Sequence, residues 1–468
     1  MKSHFKLFIT MLLLISHFIG VSASPLSQKD LDSAATLRDK ALEHNEAWSI
    51  LESLTTEVGP RMGGTAGDKA AVIWAEKKLK SLGFDKVWKE PFQFASWHRG
   101  IETAEITAPF PQKLIITALG GSGSTPKGGL NAEIIHFKTY QEMMKAPANS
   151  IEGKIVFISN RMTRAINGAG YGPAVAARRN GAVDAGKMGA LAILIRSIGT
   201  DNHRIAHTGA MQMSDVHETI PAAALSNPDA DMLERQLDRK LPVKVALEIT
   251  ARRGDIYTSY NVIGQYNGSS KPQEHILIGG HLDSWDLGTG AIDDGAGVAI
   301  TTAAAKMIID HAERPKRSIR VVLWGSEEFG LIGAKAYREA HLEDAENMII
   351  SSESDFGAGL IYEINSRVNH SSLSTIAQIA SVLAPLNIRL GHNNGGGGPD
   401  LAPWGKDPVA FFRLSQDGSD YFDLHHTADD TLDKVVPEHL SQNVAAWTSV
   451  IYLAAQSDSY FAPEATSK

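Results

Sequence analysis

Imidazole and carboxylate side chains recur at intervals through the second half of this chain, in His281-Leu282-Asp283, Asp293-Asp294-Gly295, Glu327-Glu328, Glu353-Ser354-Asp355 and His425-His426-Thr427. Nitrogen and carboxylate oxygen are ligands for zinc, and a carboxylate has two oxygens that can bridge a pair of ions about 3.5–4 Å apart. Two zinc ions suit this set. The assignment it favours gives one ion to His281 and Asp355, the other to Glu328 and His426, and the bridge to Asp293. Glu327 is then left to take a proton from metal-bound water, whose pKa the metal lowers toward 7. Asp283, two residues beyond His281, is expected to accept the remaining N–H of that ring and fix its tautomer. Each fragment alone has an ordinary meaning. Asp293-Asp294 ahead of a helix reads as an N-cap, Glu327-Glu328 as a solvated helix start, and His425-His426 as surface imidazoles. Their joint occurrence, in order, argues for a metal centre.

The elements that must carry these groups follow from the apolar pattern. Short apolar runs at 276–280, 320–324, 348–352 and 409–414 predict strands, and 294–311 and 331–341 predict helices between them. Strands alternating with helices imply a largely parallel sheet covered on both faces, with functional residues gathered past the carboxyl ends of the strands. Each group above follows such a strand. Upstream, the spacing predicts helix over 26–56, a turn at Gly59-Pro60 and Gly63-Gly64, and a second helix opened by Thr65 and Asp68 and closed by Gly83. Strand-like pieces follow at 86–94, 102–107 and 113–119. Residues 120–130 are rich in Gly, Ser, Thr, Pro and Lys, a composition that marks an edge. From there to about 253 runs a separate alternation of strands (155–159, 191–196, 220–225, 243–249) and helices (174–188, 229–237). The expected division is a catalytic unit in two parts, 24–124 and 254–468, with an insert at 125–253.

Composition narrows the chemistry. The chain has 468 residues and no cysteine, so thiolate metal sites, disulfides and a cysteine nucleophile are excluded. A net charge of −8 argues against binding nucleic acid through bulk positive charge. Lys2 and Lys6 precede an apolar stretch over 7–21, and Val21-Ser22-Ala23 offers small residues for cleavage, the pattern of a signal peptide over 1–23. Export to a periplasm or to the exterior is the expectation, with no membrane attachment once the leader is cut.

The same residues resemble the co-catalytic zinc exopeptidases, the family that includes bacterial leucyl aminopeptidase and the glutamate carboxypeptidases. The likeness runs from Gly280-His281-Leu282-Asp283-Ser284 through Asp293-Asp294-Gly295-Ala296-Gly297, Glu327-Glu328-Phe329-Gly330 and Glu353-Ser354-Asp355 to His426-Thr427-Ala428-Asp429-Asp430-Thr431. Gly59-Pro60-Arg61, Trp97-His98-Arg99-Gly100, His207-Thr208-Gly209 and the doubled His425-His426 are similar to the glutamate carboxypeptidase branch and extend the likeness over the mature chain. The resemblance implies a three-layer α/β/α fold with a mostly parallel central sheet and a protease-associated-like insert. It implies the metal roles given above, a cis bond after Asp293, a short peptide substrate and a homodimer. Where several relatives carry a tyrosine before the metal histidine, this chain has His425, which either takes over oxyanion stabilisation or acts from behind the ligand. Tyr421 is a further candidate, read as packing. Gly396 and Gly397, in a four-glycine run, are expected to line the substrate cleft.

The leading function is therefore hydrolysis of dipeptides or short peptides by a metal-bridging water that Glu327 deprotonates. Which terminus is recognised stays open between carboxypeptidase or dipeptidase and aminopeptidase. A glutaminyl cyclase-like reaction and a receptor that has lost catalysis are the remaining alternatives.

Overall fold

The computed structural model describes residues 26–44, 46–212 and 219–463. The expected leader at 1–23 lies outside the described residues. No helix among them is long and apolar enough to cross a membrane. The fold is mixed α/β, built on two eight-stranded sheets.

The first sheet runs, in spatial order, Lys86–His98, Arg252–Tyr266, Arg317–Trp324, Lys271–His281, Met348–Glu353, Phe411–Gln416, Ile361–Arg367 and Arg389–Leu390. Its centre is parallel: Lys271–His281 pairs with Arg317–Trp324 on one side and Met348–Glu353 on the other, and Met348–Glu353 pairs with Phe411–Gln416. The apolar side chains of these strands, Ile276 to Ile278 and Val321 to Leu323 among them, are buried on both faces, which is what a covered parallel sheet requires. Helices Ala296–His311 and Pro437–Gln456 bury nearly their whole circumference, and Gln28–Glu43 and Glu46–Glu57 pack against them. Thr65 caps helix Ala66–Ser81 by accepting the N–H of Asp68, as its spacing predicts.

Two local expectations change. The stretch over 26–56 is two helices, because the backbone of His44 turns extended (φ −111°, ψ 137°) and ends the first. The helix expected from 294 begins at Ala296, since Asp294, like Asp293 before it, has non-helical angles (φ −125°, ψ 37°).

The second sheet is made from residues between the strands Lys86–His98 and Arg252–Tyr266 of the first. Its order is Gln112–Leu114, Glu102–Ala108, Lys244–Ile249, Leu130–Phe137, Ile155–Ile158, Ala192–Arg196, Ala222–Leu225 and Ile116–Ala118. Glu102–Ala108 pairs antiparallel with Lys244–Ile249, so this unit starts at Glu102, ahead of the boundary expected at 125. The Gly- and Ser-rich stretch read as an edge is a loop inside it, joining Ile116–Ala118 to Leu130–Phe137.

Candidate metal centre

The strand exits of the first sheet converge. His281 ends Lys271–His281, Glu327 and Glu328 follow Arg317–Trp324, Asp355 follows Met348–Glu353, and His425 and His426 follow the short helix Tyr421–Leu424. Asp293 stands between the two imidazoles. Its Oδ1 is 3.0 Å from His281 Nε2, and its Oδ2 is 3.2 Å from His426 Nε2. Asp355 Oδ1 lies 3.9 Å from His281 Nε2, and Glu328 Oε2 lies 3.0 Å from His426 Nε2. A tetrahedral zinc with bonds of about 2.0–2.1 Å holds its ligand atoms about 3.3 Å apart, so both halves of the cluster are spaced for an ion. Buried Asp293 Oδ2 and Glu328 Oε1 have no hydrogen-bond partner among the described residues, which fits donors directed at a cation. His281, Asp293 and Asp355 form one potential ligand group; Asp293, His425 and His426 form another, with His425 Nε2 3.6 Å from Asp293 Oδ2.

The acid pair at 293–294 divides two tasks. Asp293 faces the imidazoles, while Asp294 accepts N–H groups from His281 (3.0 Å) and Gly297 (3.1 Å), which ties the strand end to the helix start. The peptide bond between them is cis. Asp430 holds the other side by accepting the N–H groups of Ile292 (2.6 Å) and Asp293 (3.2 Å). Beneath the same turn Arg61, fully buried, donates to the carbonyls of Leu282, Thr289 and Gly290.

Asp283 departs from expectation. The Nδ1–H of His281 is accepted by the backbone carbonyl of Asp283 at 3.0 Å, and the Asp283 carboxylate is 3.7 Å away. The tautomer is fixed as expected, but by the main chain. The carboxylate turns to the neighbouring strand exit and accepts the N–H groups of Glu327 (2.9 Å) and Glu328 (3.3 Å), so it orients the adjacent acids.

Charge in the pocket is unbalanced. Burial, with the charges of Asp400, Glu328 and Asp355, pushes the Glu327 carboxyl well above its ordinary range. Burial and the charges of Asp293 and Glu328 bring Asp355 up to about 7. Burial works against charge on His426 as well, but the charge of Glu328 and the close approach of the Asp293 and Glu328 carboxylates carry it up to about 9. His425 goes the other way: burial and the adjacent His426, stacked on it at 3.5 Å, hold it well below the usual imidazole range. Crowded carboxylates that resist ionisation together are relieved by divalent cations, which makes the donor set suited to metal.

Tyr421 stacks on Phe356 with ring centroids 4.9 Å apart and packs on His425, in line with a packing role. The glycine run docks on the end of Met348–Glu353: the carbonyl of Gly397 accepts the N–H of Glu353, and Gly398 has φ +123° where a Cβ would strike Glu353. Gly396 is exposed with nothing against its α-carbon, and Gly397 is buried against Leu401 and Phe411. Three contributors were missed from sequence. Trp285 donates its indole N–H to Glu328 Oε2 at 2.6 Å, Asp430 acts as described, and Thr208 of the second sheet's unit offers its carbonyl to His426 Nδ1 at 3.2 Å. Asp430 and Thr208 lie within fragments already singled out, though for other reasons; Trp285 falls one residue past Gly280-His281-Leu282-Asp283-Ser284. A narrow crevice is bordered by Trp285, Asp293, Glu328, His426 and Asp430.

Comparison with known proteins agrees with this geometry. A profile described as "Peptidase family M28" matches residues 261–451. Carboxypeptidase Q of Bos taurus is 34% identical over 411 residues, which cover 88% of this chain and 85% of that protein. Among solved structures, a peptidase M28 precursor from Shewanella amazonensis is similar with a TM-score of 0.91 and 49% identity, over 93% of this chain and 98% of that one. A zinc aminopeptidase from Bacillus subtilis shares the fold, with a TM-score of 0.64 at 20% identity over 90% of this chain and 96% of its own.

Proposed function

The chain belongs to peptidase family M28 and is a metallo-exopeptidase, and from that premise we propose that it uses two zinc ions to split dipeptides or short peptides. The observation that carries this reading is the bifacial placement of Asp293, one oxygen toward His281 and the other toward His426. One ion would be held by His281, Asp293 and Asp355, the other by Asp293, Glu328 and His426. Zinc in such a site supplies Lewis-acid activation of water and of the scissile carbonyl.

The chain's own groups supply the rest. Glu327, raised in pKa by burial and neighbouring acids, takes the proton of the attacking water and returns it to the nitrogen of the leaving amine. Asp283 fixes the backbone that presents Glu327 and Glu328, and the Trp285 indole fixes the Glu328 carboxylate. His425 is held neutral beside Asp293, where it can donate a hydrogen bond to an oxyanion. Likeness to carboxypeptidase Q over most of the chain favours release of the C-terminal residue, or dipeptidase action, over aminopeptidase action.

Finer readings complete the proposal. The first sheet and its helices are a three-layer catalytic unit, and the unit beginning at Glu102 is a protease-associated-like insert. The protein is exported, loses residues 1–23 and acts as a homodimer in a periplasm or outside the cell. Glu327→Gln tests the core of the mechanism. It should retain both zincs by metal analysis and lose about 10²–10⁴-fold in kcat on a dipeptide panel that includes N-blocked and C-amidated members. Near-full turnover with saturating zinc would remove Glu327 from its role, and loss of hydrolysis on N-blocked substrates alone would reassign the enzyme as an aminopeptidase.

A further inference from the structure

The histidines that close the candidate metal centre are held from outside the first sheet. His426 has φ +64°, in the left-handed region that a side-chain-bearing residue occupies only when its surroundings dictate it. Both backbone and ring of His426 bond to one residue of the second sheet's unit: Thr208 N–H donates to the His426 carbonyl at 3.0 Å, and the Thr208 carbonyl accepts from His426 Nδ1 at 3.2 Å. The second bond puts the proton on Nδ1 and leaves Nε2 free to face Asp293 and Glu328. Gly209 passes so close behind the ring that a Cβ there would lie 2.8 Å from Nδ1.

His207 closes this arrangement. Its ring is buried, with Nδ1 at 2.8 Å from the His425 carbonyl and Nε2 at 2.6 Å from Asp201 Oδ2. Both partners are acceptors, so the imidazole is clamped between the loop that carries the site histidines and an acid of its own unit. The neighbouring Thr200 adds a bond to the Phe422 carbonyl at 3.0 Å. We propose that His207 is a positioning residue for zinc: through the His425 carbonyl it sets the peptide that carries His426, so that the unit bearing the second sheet determines the affinity of the ion held by Glu328 and His426. This rests on the reading of His426 as a ligand.

The two ring nitrogens allow a test, because the Asn amide nitrogen reaches the place of Nδ1 and the Gln amide nitrogen that of Nε2. In the full chain, His207→Asn keeps the bond to the His425 carbonyl, and His207→Gln keeps only the bond to Asp201. Zinc dissociation constants are read by competition with a chromophoric chelator. His207→Gln and His207→Ala should weaken one of the two sites by about 10–100-fold, the range for loss of a partner that orients a ligand, and leave the other unchanged. His207→Asn should stay within about threefold of wild type at both sites. Melting of the metal-free proteins accompanies each titration, so that a general loss of folding is seen as such. Wild-type affinity in His207→Gln, equal weakening in Asn and Gln, or the reverse order would overturn the proposal. Wild-type protein that binds fewer than two zincs would instead sink the two-ion reading on which it stands.

Discussion

Replacing Trp285 by Phe keeps the aromatic body that packs on Phe329 and His426 and removes one donor, the indole N–H that lies 2.6 Å from Glu328 Oε2. Trp285 is 3% exposed, so no bulk water stands ready to replace the bond. A hydrogen bond to a charged group contributes about 1.5–3 kcal/mol, and each 1.4 kcal/mol is tenfold in binding, so the loss translates to roughly 10–150-fold in zinc affinity at the site of Glu328. The direction follows from what the donor does: it fixes the rotamer of the carboxylate whose Oε2 lies 3.0 Å from His426 Nε2, and without it Glu328 is free to turn away from that imidazole. The assay is a titration of metal-free enzyme with zinc against a competing chelator, with hydrolysis followed in parallel as zinc is added. Trp285→Phe should need more zinc for half-activation and then approach wild-type kcat. A dissociation constant within about threefold of wild type would refute the argument, as would a kcat deficit that saturating zinc does not restore. Gly120→Ala is the companion variant, since a Cβ there would sit 2.2 Å from the indole and must displace it. It should weaken the same site while the N–H is still present.

Two further outcomes concern stability. Burial raises Asp68 from 3.8 to about 6, despite hydrogen bonds from Ser259 and Gly64, so the folded chain holds a proton that the unfolded chain releases between those values. Stability contributed at this site is thus present below about pH 4 and falls as pH rises through 6, by about 3 kcal/mol in all. Asp68→Asn cannot ionise, and its stability relative to wild type in urea should improve by up to that amount between pH 4 and 7; a difference that does not move with pH would discount the buried acid. Arg61→Met strips the carbonyls of Leu282, Thr289 and Gly290 of their donors beneath the Asp293 turn, and should lower unfolding stability by roughly 3–5 kcal/mol. A loss under about 1 kcal/mol would mean that those carbonyls find other partners.

The pattern of acids and imidazoles at strand ends was readable because strands of five or six apolar residues announce themselves and a parallel sheet has only one end at which its exits can meet. His281, Asp293, Glu328, Asp355 and His426 converge for that reason. What could not be read is which atom of a residue acts. Asp283 was expected to use its carboxylate on His281, yet it uses its carbonyl there and spends the carboxylate on the N–H groups of Glu327 and Glu328. Main-chain groups are the same in every residue, so no residue type marks them. The contact of Thr208 with His426 spans 218 positions and is likewise made by main chain on one side. The Gly- and Ser-rich run at 120–130 does not by itself mark where the second sheet begins, since a loop within a unit has the same composition as a loop between units.

The register of the first sheet pairs His98 with Arg252, so the chain departs for the second sheet and returns at directly opposed positions of one antiparallel ladder. Topologically the whole unit occupies the place of a hairpin turn. Closing a loop costs only about 0.6 kcal/mol more for each doubling of its length, and a unit that folds with its ends together spares even that. Such an attachment makes the unit exchangeable: a short turn between His98 and Arg252 preserves every pairing of the first sheet, and a different module can be seated there without altering a single register. A sheet with this socket can exchange the module, at the cost of finding again residues that grip the loop of His425 and His426 as His207 and Thr208 do.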